Sequence, residues 1–381
     1  MKKQLLTSTA LVAASVLAAG GAAHAQKKAK KPYMTVNGYH EQIVGFTIDQ
    51  DEAVVGDKST LDVHGESEVH FNGHAKLDNG ITLRAHWELE GAGDGAPGSD
   101  IIDETYIIIR GSFGQLTLGA EDNAGHLMTI GYSGSWATGV GQNLTFDVSD
   151  WIITPTGFNQ DFDGTVNDAR LRSGDNDSDK ITYYTPRFAG FQLGASYIPE
   201  TTQDSGGRSS ISTSYHDGIA LGANFVRKFD QFGLGVAAGY LSWQSPEGIA
   251  VPDADAWNVA VRLDFGGVRL SGVVKKNNDM RDTAGTGTLT SNSGTIWDVG
   301  VRYMWGPNGI SLTYAHGENE AIIATAGDDE RDAAMLSYRR ALGPGVRWTV
   351  NLMWAEYTGE VTGSTDDNDG SALTTSIHMA F

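Results

Sequence analysis

The chain has no cysteine and only 9 prolines among 381 residues. Without cysteine there is no disulfide framework and no thiolate metal site. Positive charge is also scarce. Lys and Arg total 27 against 47 Asp and Glu, a formal net charge of −20. That deficit argues against a nucleic-acid backbone as partner, because such interfaces are basic. Beyond the extreme N-terminus no apolar run reaches the ~18 residues of a helical membrane span. Mean hydropathy is only −0.26. What is abundant is glycine, at 49 residues, and the aromatics, with 9 Trp, 13 Tyr and 13 Phe. So many aromatics exclude a disordered composition.

The N-terminus reads as an address. Lys2 and Lys3 form a basic start, Leu11 to Ala19 a short apolar stretch, and Ala23-His24-Ala25 a small-x-small cleavage site. Residues 1–25 are therefore expected to be a signal peptide, with Gln26 starting the mature chain. Its removal takes away two lysines and no acids, so the charge moves from −20 to −22.

The mature chain alternates with period two. Across 61–77, Leu61, Val63, Val69, Phe71 and Leu77 share the odd face with small residues, while Asp62, His64, Glu66, Glu68, His70, Asn72, His74 and Lys76 fill the even face. The same reading holds for 81–90, with Ile81, Leu83, Ala85, Trp87 and Leu89 against Thr82, Arg84, His86, Glu88 and Glu90. It holds again for 257–265 and 297–305. Such alternation is the signature of a β-strand with one wet face. Short turn signals, such as Asp78-Asn79-Gly80, Gly266-Gly267 and Gly306-Pro307-Asn308-Gly309, alternate with longer polar stretches along the whole chain. Seven short turns and eight long loops predict sixteen strands, with both chain ends on the short-turn side.

Three features favour a transmembrane barrel over a soluble sandwich. Alternating connections sort turns to one rim and loops to the other. Aromatics bracket the apolar face: Trp257 and Phe265, and likewise Trp297 and Trp305, stand eight residues apart. Eight tilted strand residues rise about 20 Å, close to the ~25 Å lipid-facing band with its aromatic girdles. Finally, Arg84, Glu88, Arg262, Asp264 and Arg302 on the opposite face would each be costly to bury in a sandwich core. A wet lumen removes that cost.

At this point the sequence resembles the Gram-negative general diffusion porin family. The resemblance is carried by Tyr33-Met34-Thr35-Val36-Asn37-Gly38-Tyr39, by Gly111-Ser112-Phe113-Gly114-Gln115-Leu116-Thr117-Leu118-Gly119, and most specifically by the strand–turn–strand from Asp179 to Tyr197. The chain ends in Phe381, with Leu373, Thr375, Ile377 and Met379 on its face, which looks like the C-terminal signal of outer-membrane barrels. The resemblance covers essentially the whole mature chain. It implies an all-β fold, a 16-stranded antiparallel transmembrane β-barrel in residues 26–381. It also implies an outer-membrane location, a homotrimer, contact with outer-membrane lipid and lipopolysaccharide, and passive diffusion of ions and small hydrophilic solutes.

The third long connection, 122–178, far exceeds the others, and connections of that length are usually functional. The family resemblance folds this loop into the lumen, where it constricts the pore and sets loop acids against wall bases. The loop acids offered are Asp147, Asp150, Asp161 and Asp163. The basic candidates are Arg84, Arg110, Lys76, Arg170 and Arg172. Glu66, Glu68, His70 and His86 line the lumen as polar residues. Alignment on the family pattern puts Glu68, Tyr106 and Tyr184 where basic residues often stand, so the basic side is expected to be thin. With the acidic net charge this predicts a modest cation preference. The aromatic girdle is read as Trp257, Phe265, Trp297, Trp305 and Phe381.

Smaller signals stand beside these. Asp175-x-Asp177-x-Asp179 is a carboxylate cluster of the kind that holds Ca²⁺, although Lys180 and Pro186 exclude an EF-hand. Cross-strand pairing is expected to bring His74 near His86, with the histidines mainly lining the lumen. Gly65, Ser67, Gly73, Ala75 and Ala85 face outward and suit a subunit contact. A solute-specific channel on the same barrel would want aromatic slides, where the lumen faces here are charged and His-rich. A secreted β-rich hydrolase would need a positioned carboxylate pair, and no motif supplies one, so the chain is not expected to be an enzyme.

Overall fold

The computed structural model describes residues 31–381 except 51–57, 92–101, 133, 135–136, 145–146, 156–157, 159–167, 176, 202–210, 280, 282–290, 321–326 and 361–366. The expected signal peptide, Asp161 and Asp163 lie outside the described residues.

Sixteen strands run in chain order. They are β1 (Tyr33–Gln50), β2 (Leu61–Lys76), β3 (Thr82–Glu90), β4 (Ile102–Gly111), β5 (Gly114–Ala120), β6 (Asp179–Tyr184), β7 (Phe191–Glu200) and β8 (His216–Lys228), followed by β9 (Gly233–Gln244), β10 (Ala254–Phe265), β11 (Val268–Asn278), β12 (Gly294–Trp305), β13 (Asn308–Asn319), β14 (Asp329–Gly343), β15 (Val346–Thr358) and β16 (Asn368–Ala380). Each pairs antiparallel with its sequence neighbours, and β1 pairs with β16 to close the barrel. Closure removes the two free edges a flat sheet would expose, which is the condition for strands to cross a membrane. The seam is extended by the last residue: Phe381 and Gly38 exchange both backbone hydrogen bonds at 3.0 Å.

The parity reading is realised. Trp257, Val259, Val261, Leu263 and Phe265 are all exposed on β10, as are Trp297, Val299, Val301, Tyr303 and Trp305 on β12. On the other parity Asn258, Ala260 and Asp298 are buried. Ile81, expected on the outer face, is instead buried in the turn before β3, where its carbonyl accepts from the Leu77 N–H at 2.8 Å. The tight turns use glycine where the backbone requires it: Gly266 and Gly306 have φ of +59° and +53°, left-handed values that suit two-residue hairpins. The short-turn rim carries exposed Phe188, Phe191, Phe232, Phe265, Tyr303, Trp305 and Phe381. Tyr303 and Trp305 stack with centroids 5.4 Å apart. Of the expected girdle, Phe265, Trp305 and Phe381 are thus exposed at this rim.

The long connection between β5 and β6 begins with one helical turn, α1 (Ala124–Met128), capped by the Asn123 side chain, which accepts from the His126 N–H at 3.0 Å. Its described residues then contact lumen-parity side chains strand after strand. Asn258 on β10 donates to Thr129 Oγ1 at 2.7 Å. Ser311 Oγ on β13 accepts from the Val140 N–H at 3.0 Å. Gln142 Oε1 accepts from Thr374 on β16 at 2.7 Å and from Asn351 on β15 at 3.3 Å. Arg331 on β14 donates to the Leu144 carbonyl at 3.1 Å. Thr47 on β1 donates to the Trp151 carbonyl at 3.2 Å. The return leg is held by Trp243 on β9, whose indole N–H donates to the Ser173 carbonyl at 2.9 Å, and by Lys275 on β11, which donates to the Arg172 carbonyl at 3.1 Å.

Apolar packing reinforces this track. Leu144, Val148, Trp151 and Ile152 of the connection are buried with Met335 and Met353 of the barrel wall. Burying a large apolar side chain contributes about 1.5–3 kcal/mol. Wall glycines make room. A Cβ on Gly222 would lie 2.6 Å from the Ala124 carbonyl oxygen, and one on Gly45 would overlap the Trp151 ring at 2.1 Å.

Candidate functional site

The wall of β2 to β4 concentrates acids and histidines on the lumen parity. Register sets His70 opposite Glu88, Asn72 opposite His86 and His74 opposite Arg84. The expected His74–His86 approach is therefore replaced by His70 and His86, with ring centroids 5.2 Å apart. The reason is register. The connecting turn offsets the strands so that His86 falls two residues closer to the start of β2. The Tyr39 hydroxyl on β1 donates toward Glu66 at 2.8 Å and Glu68 at 2.7 Å. Arg84 donates to the Tyr106 hydroxyl at 2.9 Å and so spends part of its donor fork on a neutral partner.

On β4 the pairing slips between Trp87–Thr105 and Leu89–Ile102, so β4 carries one extra residue. Such a bulge redirects side chains that strict alternation would separate. Asp103 comes to face Arg172, Glu68, Asp122 and Asp177, while Glu104 faces Glu121, Glu88 and Asp122. Neither was picked out in the sequence, because a bulge leaves no trace in period-two counting.

Charges on the long connection are held in place by one another. Arg170 grips Asp168 with Nε at 3.1 and 3.0 Å and a terminal nitrogen at 2.8 Å, and lies 4.8 Å over the Tyr132 ring. Burial alone would raise the Asp168 carboxyl, but Arg170 holds it well below the usual range. Asp122 lies 3.1 Å from His126 Nε2 and 3.4 Å from Arg172 Nε. Burial, and then Arg170, push His126 down to about 3, so its ring is neutral. Glu121 is pushed up to about 7 by burial and then by Asp122. Asp177 is pushed up to about 8 by burial and then by Asp122 and Asp103.

A second charged sector lies across β10 to β15. Arg269 stands directly opposite Arg302 in the β11–β12 register. Asp264 bridges Arg269 at 2.6 Å and Arg262 at 3.0 Å. Arg269 and Arg302 both donate to the Ala137 carbonyl. Arg339 and Arg347 continue the arc on β14 and β15. Arg262 and Arg302 were legible as lumen charges. Their convergence with Arg269 and Arg339 required the register.

The model of the Gram-negative porin family matches residues 8–360. The chain belongs to the Gram-negative porin family. Outer membrane porin protein 32 of Delftia acidovorans is 27% identical over 324 residues, covering 83% of this chain and 82% of that one. Among solved structures, the barrel is similar to an anion-selective porin from Comamonas acidovorans, with a TM-score of 0.58, 16% identity, and 92% and 100% of the two chains covered. It is also similar to an outer membrane protein of Vibrio cholerae solved in a trimer form, with a TM-score of 0.53, 10% identity, and 92% and 100% covered. These likenesses carry the barrel fold, and the family places the protein in the outer membrane.

The porin's candidate residues sort unevenly. Asp147 accepts from the Asn143 N–H at 2.6 Å, and burial, then Glu66, raise its carboxyl well above the usual range. Asp150 lies 3.9 Å from His64 on β2. These two loop acids therefore meet an acid- and His-bearing stretch of wall. Lys76 and Arg110 are exposed beside the short turns, where Lys76 pairs with Thr82 and Arg110 bonds Gln115. Arg170 and Arg172 belong to the connection itself. Tyr106 and Tyr184 do lie on the lumen parity, Tyr184 against Met128 of α1. Asp175 is taken up by Asn123 Nδ2 at 2.8 Å and stands 4.0 Å from Lys180 Nζ. Among the described residues the group with metal-binding spacing is His70, His86 and Glu88, not Asp175, Asp177 and Asp179.

Proposed function

We propose that this porin is a water-filled channel for passive diffusion of ions and small hydrophilic solutes, working as a homotrimer with a weak preference for cations. The long connection narrows the lumen and confines the path to the side lined by β2 to β5. The observation that carries this reading is the contact track of the described residues between 124 and 173 along β8 to β16 and onto β1. It supports a passage left between that track and the acidic wall. Glu66, Glu68 and Asp103 give that wall one sign of charge, and Glu121 adds to it as the pH rises. Charges lining a narrow passage act on a permeant ion inside the ~8 Å screening distance. The arginine arc on β10 to β15 supplies the opposite pole of a transverse field.

A preference for anions is the competing reading. It is favoured by that arginine arc and by the name of the solved anion-selective relative. The reversal potential in a KCl gradient across a planar bilayer separates the two. Cation preference supports the acidic wall as the selective surface, and anion preference transfers that role to the arginines. Unheated and boiled samples on a gel test the trimer, which is expected as a heat-labile band from the outer-membrane fraction.

A further inference from the structure

We infer that His70, His86 and Glu88, with Glu68 beside them, form a Zn²⁺-binding site on the lumen wall. Two adjacent strands build it. Register places His70 directly opposite Glu88, with His86 on the neighbouring diagonal. Glu88 Oε2 lies 3.2 Å from His70 Nε2 and 3.1 Å from His86 Nε2. Glu68 Oε2 lies 2.8 Å from His70 Nε2. A tetrahedral ion with ligands at ~2.1 Å has ligand–ligand edges of about 3.4 Å. Glu88 Oε2 is thus near that spacing from each imidazole, all three atoms lie within 4.8 Å of one another, and rotation of the imidazoles completes the set. Two imidazoles and one or two carboxylates form a donor set suited to zinc rather than to Mg²⁺ or Ca²⁺.

The second observation concerns where the protons are. Asn72 Nδ2 donates to Asn37 Oδ1 at 2.8 Å, which fixes the orientation of the Asn72 amide. Its Oδ1 then faces His86 Nδ1 at 2.9 Å. His86 must therefore carry its hydrogen on Nδ1, and in the neutral ring Nε2 points a lone pair at the Glu88 carboxylate. That contact at 3.1 Å is met either by a proton on the Glu88 carboxyl or by a metal ion that replaces it. A metal ion ligated by Glu88 and His70 satisfies the same lone pair and draws on both rings. The Asn72 contact is the outer-shell bond that commonly orients a ligating histidine. On the other ring, His70 Nδ1 has only a 3.4 Å contact with Asn37 Nδ2, and metal binding at Nε2 costs that long contact. His70 and Glu68 keep 20% and 23% of their side chains exposed, so an ion arrives from the lumen. Ligands held on paired strands are better fixed than ligands on loops.

The site is independent of which ions the pore prefers, and its test does not read conductance. The mature barrel in detergent is titrated with ZnCl₂ by calorimetry in the presence of excess MgCl₂. X-ray absorption at the zinc edge follows on the loaded protein. One Zn²⁺ per chain is expected, with nitrogen scatterers at about 2.0–2.1 Å. His70→Ala, His86→Ala and Glu88→Gln should each weaken binding by at least about tenfold, and Asn72→Leu by about 10–100-fold, as outer-shell losses do. His74→Ala, on the same face outside the cluster, should change nothing. Heat-modifiable migration on a gel confirms that each variant is folded, and Glu88→Gln, nearly isosteric, serves where a histidine variant is not. Unchanged zinc affinity in the folded Glu88→Gln protein overturns the assignment. So does competition by Mg²⁺ at equal concentration, an oxygen-only zinc shell, or equal loss in His74→Ala.

Discussion

Asp122 Oδ1 lies 3.4 Å from Nε of Arg172, so the two ends of the porin's longest connection are tied to each other. Both side chains are largely buried, at 13% and 12% exposure. Burial by itself would raise the Asp122 carboxyl. Arg172, Arg170 and Lys180, joined by His126 once strong acid protonates it, outweigh it and hold the group below its ordinary 3.8. A carboxyl lowered in the fold contributes stability that is fully present above its unfolded value and lost only as pH falls through the folded one. The tie should therefore survive mild acid. Removing one partner of such a pair costs about 3 kcal/mol, because the other charge stays buried. Arg172→Ala is expected to loosen the connection at neutral pH, seen as faster limited proteolysis within 122–178 and noisier single-channel current. An unchanged cleavage rate would show that the pair does not hold the loop.

The two faces of β12 predict opposite tolerance. Val299 is exposed on the lipid parity, and Arg302, three residues later, is on the lumen parity. An arginine at the bilayer midplane of a barrel costs about 2–4 kcal/mol. Val299→Arg should lower the urea midpoint of the heat-modifiable form accordingly. Arg302→Gln, which removes a charge and one hydrogen bond to the Ala137 carbonyl on the lumen side, should cost less, about 1 kcal/mol. Equal losses would contradict the assignment of faces.

Strand number, closure and face assignment were legible because period two is a local property. Leu61 to Leu77 alone reveal their parity, and short and long connections reveal the rim to which each belongs. The charge map was much less legible. Arg269 and Arg302 are 33 positions apart and meet only through register. Asp103 and Glu104 share one side only through a bulge. His86 pairs with Asn72 rather than His74 because of a two-residue offset in one turn. The sequence also offered Asp147 and Asp150 as acids facing bases, whereas Glu66 and His64 are what they approach. Net charge and loop length raise the expectation of a transverse field; its direction rests on three-dimensional pairing.

The arginine arc should act on ion preference. Arg269 and Arg302 are opposed across β11 and β12 with the Ala137 carbonyl between them. Like charges this close favour an anion and repel a cation. Arg302→Ala should shift the KCl reversal potential toward greater cation preference, and Glu68→Gln on the opposite wall should shift it the other way. Shifts of the same sign in both variants would remove the transverse field from the account.

The acidic wall should also make preference depend on pH in a definite direction. Glu121 is pushed up to about 7, first by burial and then by Asp122, from an ordinary 4.5. Asp177 is pushed up to about 8, first by burial and then by Asp122, from an ordinary 3.8. Both are therefore largely protonated at pH 6 and ionised at pH 9. Raising the pH across that window adds negative charge where the connection leaves β5 and rejoins β6. Cation preference should grow as it does, with Glu121→Gln removing the lower part of the rise and Asp177→Asn the upper part. Stability moves the other way. A carboxyl raised in the fold favours the folded state while protonated, and that advantage is lost as pH climbs from the ordinary value through the folded one. The urea midpoint should accordingly fall between about pH 3.8 and pH 8 by less in the double variant than in the parent. A reversal potential that stays flat from pH 6 to 9, or moves toward anions, would mean that neither carboxyl reaches the permeant ion.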